Sequence, residues 1–120
     1  MIAVILAAGM ASRLRPLTND RPKCLLEVGR RTLLQRTVDA LLEAGMREFV
    51  VVTGYRGEMI RQFLTKQYPE QTFHFIDNAV YDKTNNIYSL WLTRPFADGK
   101  DFLLLDSDIL FDPALLWPLL

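Results

Sequence analysis

Apolar positions along the chain fall into short unbroken runs and helically spaced sets, and the two kinds alternate. Ile2 to Ala7 is a continuous apolar run with β-branched members, halted by Gly9. That predicts a strand buried on both faces, as in a parallel sheet. Thr32 to Ala44 places Leu34, Val38, Leu41 and Leu42 at helical spacing and ends at Gly45, a residue suited to the left-handed turn that closes a helix. The run "FVVVTG", ending at Gly54, reads as a second buried strand, so the first three elements make a βαβ unit.

The alternation continues. Glu58 to Lys66 sets Met59, Ile60, Phe63 and Leu64 on one helical face, and Phe73 to Ile76 makes a short third strand. In "TNNIYSLWLTR", Thr84 offers an N-cap and Ile87, Leu90, Trp91 and Arg94 are spaced as a helix. The stretch "DFLLLDSD" is a fourth strand, apolar until Leu105 and acidic afterwards. The predicted class is α/β: a Rossmann-like, mostly parallel sheet with helices on both faces. In open sheets of this kind, ligands sit beyond the carboxyl ends of the strands. Three such ends are chemically unusual, "AAGMASR", "IDNAVYDKTNN" and "DSD", and they are expected to converge.

Composition narrows the picture. A chain of 120 residues suits one domain, residues 1–120, with a workable core, since a globule of this size buries roughly two-thirds of its unfolded surface. Fourteen basic residues balance fourteen acidic ones, so no net field recruits nucleic acid or an anionic membrane, and any anion site must be local. The first apolar run lacks a preceding basic region and is far shorter than the roughly 20 residues that cross a bilayer, which points away from an export signal or a membrane span. Cys24 is the single cysteine, so an internal disulfide is excluded and no zinc cluster is suggested. A reducing cytoplasm is the expected location.

The candidate chemistry begins in the first loop. Gly9 after a strand permits a positive-φ turn, and Ala7, Ala8 and Ala11 leave room for backbone amides to approach a ligand. Arg13 and Lys23 supply cationic donors suited to phosphate oxygens, while Pro16 and Pro22 stiffen the connection. Taken singly, Arg13, Arg15, Arg21 and Lys23 each read as solvated surface; their concentration among prolines after a buried strand is what packing does not require. A dinucleotide fingerprint would need glycine where Ala11 and Leu14 stand, and a P-loop would need Gly-Lys-Ser/Thr, so neither fits. Asp106 and Asp108, two apart on an extended segment, point to one side and suit Mg²⁺ beside phosphates, although Asp106 reads equally well as a strand-end cap. Asn85 and Asn86 have capping and turn formation as their ordinary role. His74 reads as a half-exposed strand residue, Cys24 lacks a partner for nucleophilic work, and Tyr88 and Trp91 sit at spacing typical of core packing.

The whole of "LAAGMASRLRPLTNDRPKCLLEV" resembles the signature of the nucleotidyltransferases that move a nucleoside monophosphate from its triphosphate to a phosphorylated sugar or small alcohol. Leu6-Ala7-Ala8-Gly9, Ser12-Arg13-Leu14, Pro16-Leu17-Thr18 and Pro22-Lys23 are in register, and Ala11 departs from the family's usual second glycine. The resemblance implies the N-terminal half of a nucleotide-diphospho-sugar transferase fold. It implies Leu6, Ala7, Ala8, Gly9, Met10, Ala11 and Ser12 as the nucleotide seat, Arg13 and Lys23 as catalytic cations, and Asp108, with Asp106 beside it, as ligands of Mg²⁺. "YDKTNNIYSL" is similar to the choline-phosphate cytidylyltransferase branch, which adds Asn85 and Asn86 to the nucleotide-binding set.

The implied reaction is transfer of CMP from CTP to a phosphorylated small alcohol such as phosphocholine, with release of pyrophosphate. A sugar-1-phosphate nucleotidyltransferase and a truncated, non-catalytic nucleotide-binding module remain alternatives. The family's later strands, its second metal carboxylate and most of its acceptor pocket have no counterpart in these residues. The apolar end "LLWPLL" is therefore expected either to associate with another chain, as in a homo-oligomer, or to leave an exposed apolar patch.

Overall fold

A run such as IAVILA holds together only where both of its faces are covered, and strand β1, Ile2–Ala7, is buried at every position. The computed structural model describes residues 1–8, 21–81, 86–97, 99 and 101–106, without the side chains of residues 86, 87 and 97. In sequence order the elements after β1 are a 3₁₀ turn at Lys23–Leu25, β2 (Glu27–Val28), β3 (Arg31–Thr32), α1 (Leu33–Glu43), β4 (Glu48–Thr53), α2 (Gly57–Gln67), β5 (Thr72–Asp77), α3 (Asn86–Leu92), α4 (Arg94–Ala97) and β6 (Phe102–Asp106). The main sheet has the order β5-β4-β1-β6 with every pair parallel. The two central strands, β1 and β4, are the two with unbroken buried runs; the flanking strands are more mixed.

Alternation divides β1 and β4 between two apolar layers. On one face Ala3, Ile5, Ala7, Phe49 and Val51 pack with Leu34, Val38 and Leu41 of α1 and with Ile60 and Leu64 of α2. On the other, Ile2, Val4, Leu6, Ala8, Val50 and Val52 meet Leu90 of α3 and Phe96 of α4. Helices therefore cover both faces, as the pattern predicted. Among the described residues, no helix is long and apolar enough to cross a membrane.

Local chemistry explains the helix ends. Thr32 caps α1, its hydroxyl accepting from the Gln35 amide at 3.0 Å. At the other end Gly45, at φ +93°, lets its own amide donate to the Leu42 carbonyl and the Met46 amide to the Leu41 carbonyl. That is the Schellman arrangement, sealed by the apolar pair Leu41 and Met46, both buried. Helix α2 begins after Arg56, which takes the left-handed conformation without being glycine.

Three features depart from the periodicity. The hairpin β2–β3 was not predicted because two-residue strands carry no period; it turns at Gly29, φ +71°, and the Arg36 side chain fastens it by donating to the Val28 carbonyl. The helix expected after a Thr84 cap to run through to Arg94 stops at Leu92 and resumes as α4, for which Pro95 supplies the reason: it has no amide to continue the ladder. The Thr93 hydroxyl donates to the Leu90 carbonyl at 2.6 Å. Trp91 is not core: it is 52% exposed, because the inward position of that turn is taken by Leu90. Tyr88 is half-buried and stacks on Trp91 at 5.8 Å, and Arg94 lies over the indole at 3.6 Å. His74, by contrast, is the half-buried strand residue expected, stacked on Phe96 at 4.9 Å. Thr84 and the "LLWPLL" end lie outside the described residues.

Candidate functional site

Strand order locates the site. After β1 and after β4 the chain crosses on the α1/α2 face, whereas between β5 and β6 it crosses on the α3/α4 face. The crossovers thus part company between β1 and β6, and in such sheets the crevice at the carboxyl ends of the diverging strands is where ligands bind.

The tips of those strands hold Leu6, Ala7 and Ala8 on one side and Asp106 on the other. Asp106 is in register with Leu6, so its side chain belongs on the Leu6 face, toward α3. Leu6, Ala7 and Ala8 are all buried, giving the loop that follows a fixed base. Lys23 is half-buried in the 3₁₀ turn after Pro22, which is extended at φ −67°; its neighbours Cys24 and Leu25 pack into the same cluster as Ala7. Burial of Cys24 agrees with a packing role.

The exits of β1, β4 and β5 meet, while the segment beyond Asp106 lies outside the described residues. The Ala8 carbonyl at the end of β1 accepts from the Tyr55 amide beyond β4 at 3.2 Å. Gly54 makes that approach possible, since a Cβ there would stand 2.7 Å from the Ala8 oxygen and 2.7 Å from Cβ of Tyr81. From the end of β5, the Asn78 amide donates to the Thr53 carbonyl at 2.7 Å. The rings of Tyr55 and Tyr81 lie 6.2 Å apart. Asn86 opens α3, whose Leu90 packs into the cluster that holds Leu6 and Ala8.

Of the predicted site residues, Leu6, Ala7, Ala8 and Asp106 are brought to neighbouring strand tips, Lys23 adjoins Cys24 and Leu25, which pack with Ala7, and Asn86 starts the helix on the Asp106 face. Gly9, Met10, Ala11, Ser12, Arg13, Asn85 and Asp108 lie outside the described residues. Sequence reasoning missed Asn78 and took Gly54 only as a strand end. The sequence shows only an asparagine directly after a strand at Asn78 and a glycine ending a strand at Gly54; the burial of the one and the loop contact of the other exist only in the folded chain. Among the described residues, no group of three or more His, Cys, Asp or Glu side chains is gathered around a possible metal ion.

Comparison with known proteins agrees with this geometry. The chain is 36% identical over 116 residues to the CTP:phosphoglutamine cytidylyltransferase of Campylobacter jejuni, an alignment covering 92% of this chain and 45% of that protein. It is 34% identical over 115 residues to the UTP–glucose-1-phosphate uridylyltransferase of Haloferax volcanii, covering 96% of this chain and 46% of that one. Among solved structures, the CTP:phosphocholine cytidylyltransferase of Streptococcus pneumoniae superposes with a TM-score of 0.80 at 32% identity, over 93% of this chain and 47% of the other. The chain therefore spans about half the length of the relatives it matches. With the nucleotidyl transferase family matching residues 2–117 and the parallel sheet ending in a shared crevice, the chain belongs to that family.

Proposed function

We infer that the protein transfers CMP from CTP to a phosphorylated small alcohol or a similar phospho-acceptor, with phosphocholine as the leading case, and releases pyrophosphate. The observation that carries this reading is the meeting of the β1 exit and Asp106 at the divergence of β1 and β6, on the face covered by the helix that Asn86 begins. The similarity to a phosphocholine and a phosphoglutamine cytidylyltransferase supports the choice of CTP.

In the proposed step an acceptor phosphate oxygen attacks the α-phosphorus of CTP. A new P–O bond forms, the bond to the bridging oxygen breaks, and pyrophosphate leaves with the electron pair. A phosphate monoester has a second pKa of about 6 and is largely dianionic at neutral pH, so the attacking oxygen needs no general base. The barrier is anion against anion, and the protein's part is to offset it. Gly9 to Ser12 would seat the nucleotide through backbone amides, and Arg13 and Lys23 would neutralise the phosphates. Asn85 and Asn86 would orient the nucleotide through their amides.

Carboxylate oxygens at the tip of β6 are the donors a hard cation prefers, so Asp106, with Asp108 as principal ligand, fits Mg²⁺. Bound there, the ion would supply charge neutralisation to the triphosphate.

Pyrophosphate release measured for CTP, UTP, GTP and ATP, each against phosphocholine, aminoethylphosphonate and sugar 1-phosphates, tests the reading. Release with CTP and a phospho-alcohol is the expected result. Release only with a sugar 1-phosphate would select the second reading, which the uridylyltransferase relative favours. Nucleotide binding with no release from any pair would select a non-catalytic module.

A further inference from the structure

Asn78 is 1% exposed, yet it is strongly polar, and all of its polar groups are engaged. Its amide donates to the Thr53 carbonyl at 2.7 Å, and its own carbonyl accepts from the Tyr81 amide at 3.2 Å. Its Oδ1 accepts from the Val80 amide at 3.1 Å. The first continues the pairing of β5 with β4, and the other two are what an asparagine in a turn ordinarily makes. The fourth is different. Nδ2 donates to Oγ of Ser89 at 3.1 Å, a bond between two buried side chains eleven residues apart that leaves the turn and reaches α3.

Through its backbone carbonyl and its Nδ2, Asn78 thus holds both Tyr81 and Ser89, the residues on either side of the segment in which Asn85 and Asn86 occur. Ser89 lies three residues, less than one helical turn, after Asn86. Breaking a buried bond of this kind leaves an amide without its partner, which is costlier than the bond's net worth. Beside the packing of Leu90 against the sheet, the position of α3 relative to the strand exits is therefore tied to the Asn78 side chain.

We propose that Asn78 is a positioning residue: acting through Ser89, it holds α3, and with it Asn86, against the exits of β4 and β5. The functional part of this inference rests on the proposed nucleotide role of Asn86. The structural part stands on the hydrogen bonds alone.

The test compares wild-type protein with Ser89→Ala, Asn86→Ala and the double variant, using amide hydrogen exchange and the CTP dependence of turnover. Ser89→Ala removes one hydroxyl and leaves the turn around Asn78 intact. Expected are exchange about tenfold faster across α3 with α1 unchanged, and a KM for CTP raised about five- to tenfold with kcat altered less than about twofold. In the Asn86→Ala background, Ser89→Ala should change that KM by less than about twofold, because nothing is left to position. Unchanged exchange in α3 would overturn the proposal. So would exchange accelerated equally in α1, which would mark a general loss of stability, or a KM rise of the same size without Asn86. A wild type inactive with every nucleotide would count against the proposed reaction alone, and the exchange comparison would still decide whether Asn78 holds the helix.

Discussion

Lys23 and Tyr68 make opposite uses of partial burial. Lys23 is carried between Pro22 and Cys24, both buried, so its stem is held, and in the proposed reaction its charge would neutralise the nucleotide phosphates. Replacing it by alanine is expected to reduce turnover about a hundredfold or more, on the scale of other lost transition-state donors, while the unfolding midpoint barely moves. Near-normal pyrophosphate release by Lys23→Ala would remove it from the mechanism. Tyr68 caps the end of α2 and donates its hydroxyl to Oδ1 of Asp39 at 2.6 Å, while Oδ2 of Asp39 accepts from Arg31 at 3.0 Å. Burial, and then the hydrogen bond and charge of Asp39, push the phenol above its ordinary range. Since an unfolded phenol ionises near pH 10, the stability from this raised group is complete below about pH 10 and is lost as the pH climbs beyond it. Tyr68→Phe should cost about 1 kcal/mol at pH 7 and unfold with a shallower alkaline limb in denaturant titrations. Identical limbs for the two proteins would contradict this.

At the level of elements, what was legible had a period or a cap. Helix α1 was readable from Leu34, Val38, Leu41 and Gly45, because one apolar stripe meets one sheet face and one glycine takes the positive φ. Strands β1 and β4 were readable because burial on both faces leaves an unbroken run. The β2–β3 hairpin was not, since its geometry depends on the Arg36 side chain donating to the Val28 carbonyl from the neighbouring helix, a contact with no local signal. The division of α3 from α4 was visible in Pro95 but hidden by apolar spacing that runs through it. Of the site, strand tips were foreseeable from the order of elements. The contact between Gly54 and Ala8 was not, because it joins two loops 46 positions apart and exists only once the sheet has formed. Gly54→Ala is expected to cost about 1–3 kcal/mol, as overpacking against backbone does, and to weaken nucleotide affinity by shifting the start of the first loop. Calorimetry and nucleotide titration would check both; an unperturbed variant would show that the two loops can part without consequence.

For the molecule as a whole, the alternation of strands and helices was enough to foretell a parallel sheet clothed on both sides, while its order, β5-β4-β1-β6, emerged only from the structure. Among the described residues, strand β6 stands at one margin of the sheet, with Phe102 and Leu104 each about 40% exposed on the face shared with Ile2 and Val4. Apolar side chains on a sheet margin favour association. Light scattering coupled to size-exclusion chromatography is expected to give a mass above that of one 13.8 kDa chain, lowered when Leu104 is replaced by lysine. A compact monomer before the substitution would refute this.

The pairing of β1 with β6 also sets a timetable. One wall of the crevice comes from Leu6 and its neighbours and the other from Asp106, so a nascent chain that has made β1, β4 and β5 owns three strands and no binding crevice. Closing a contact across so long a stretch of chain is the slow, entropically costly part of folding such a sheet. If the proposed nucleotide role is right, capacity for a triphosphate should therefore arise late and all at once, making nucleotide capture a reporter of the β1–β6 pairing.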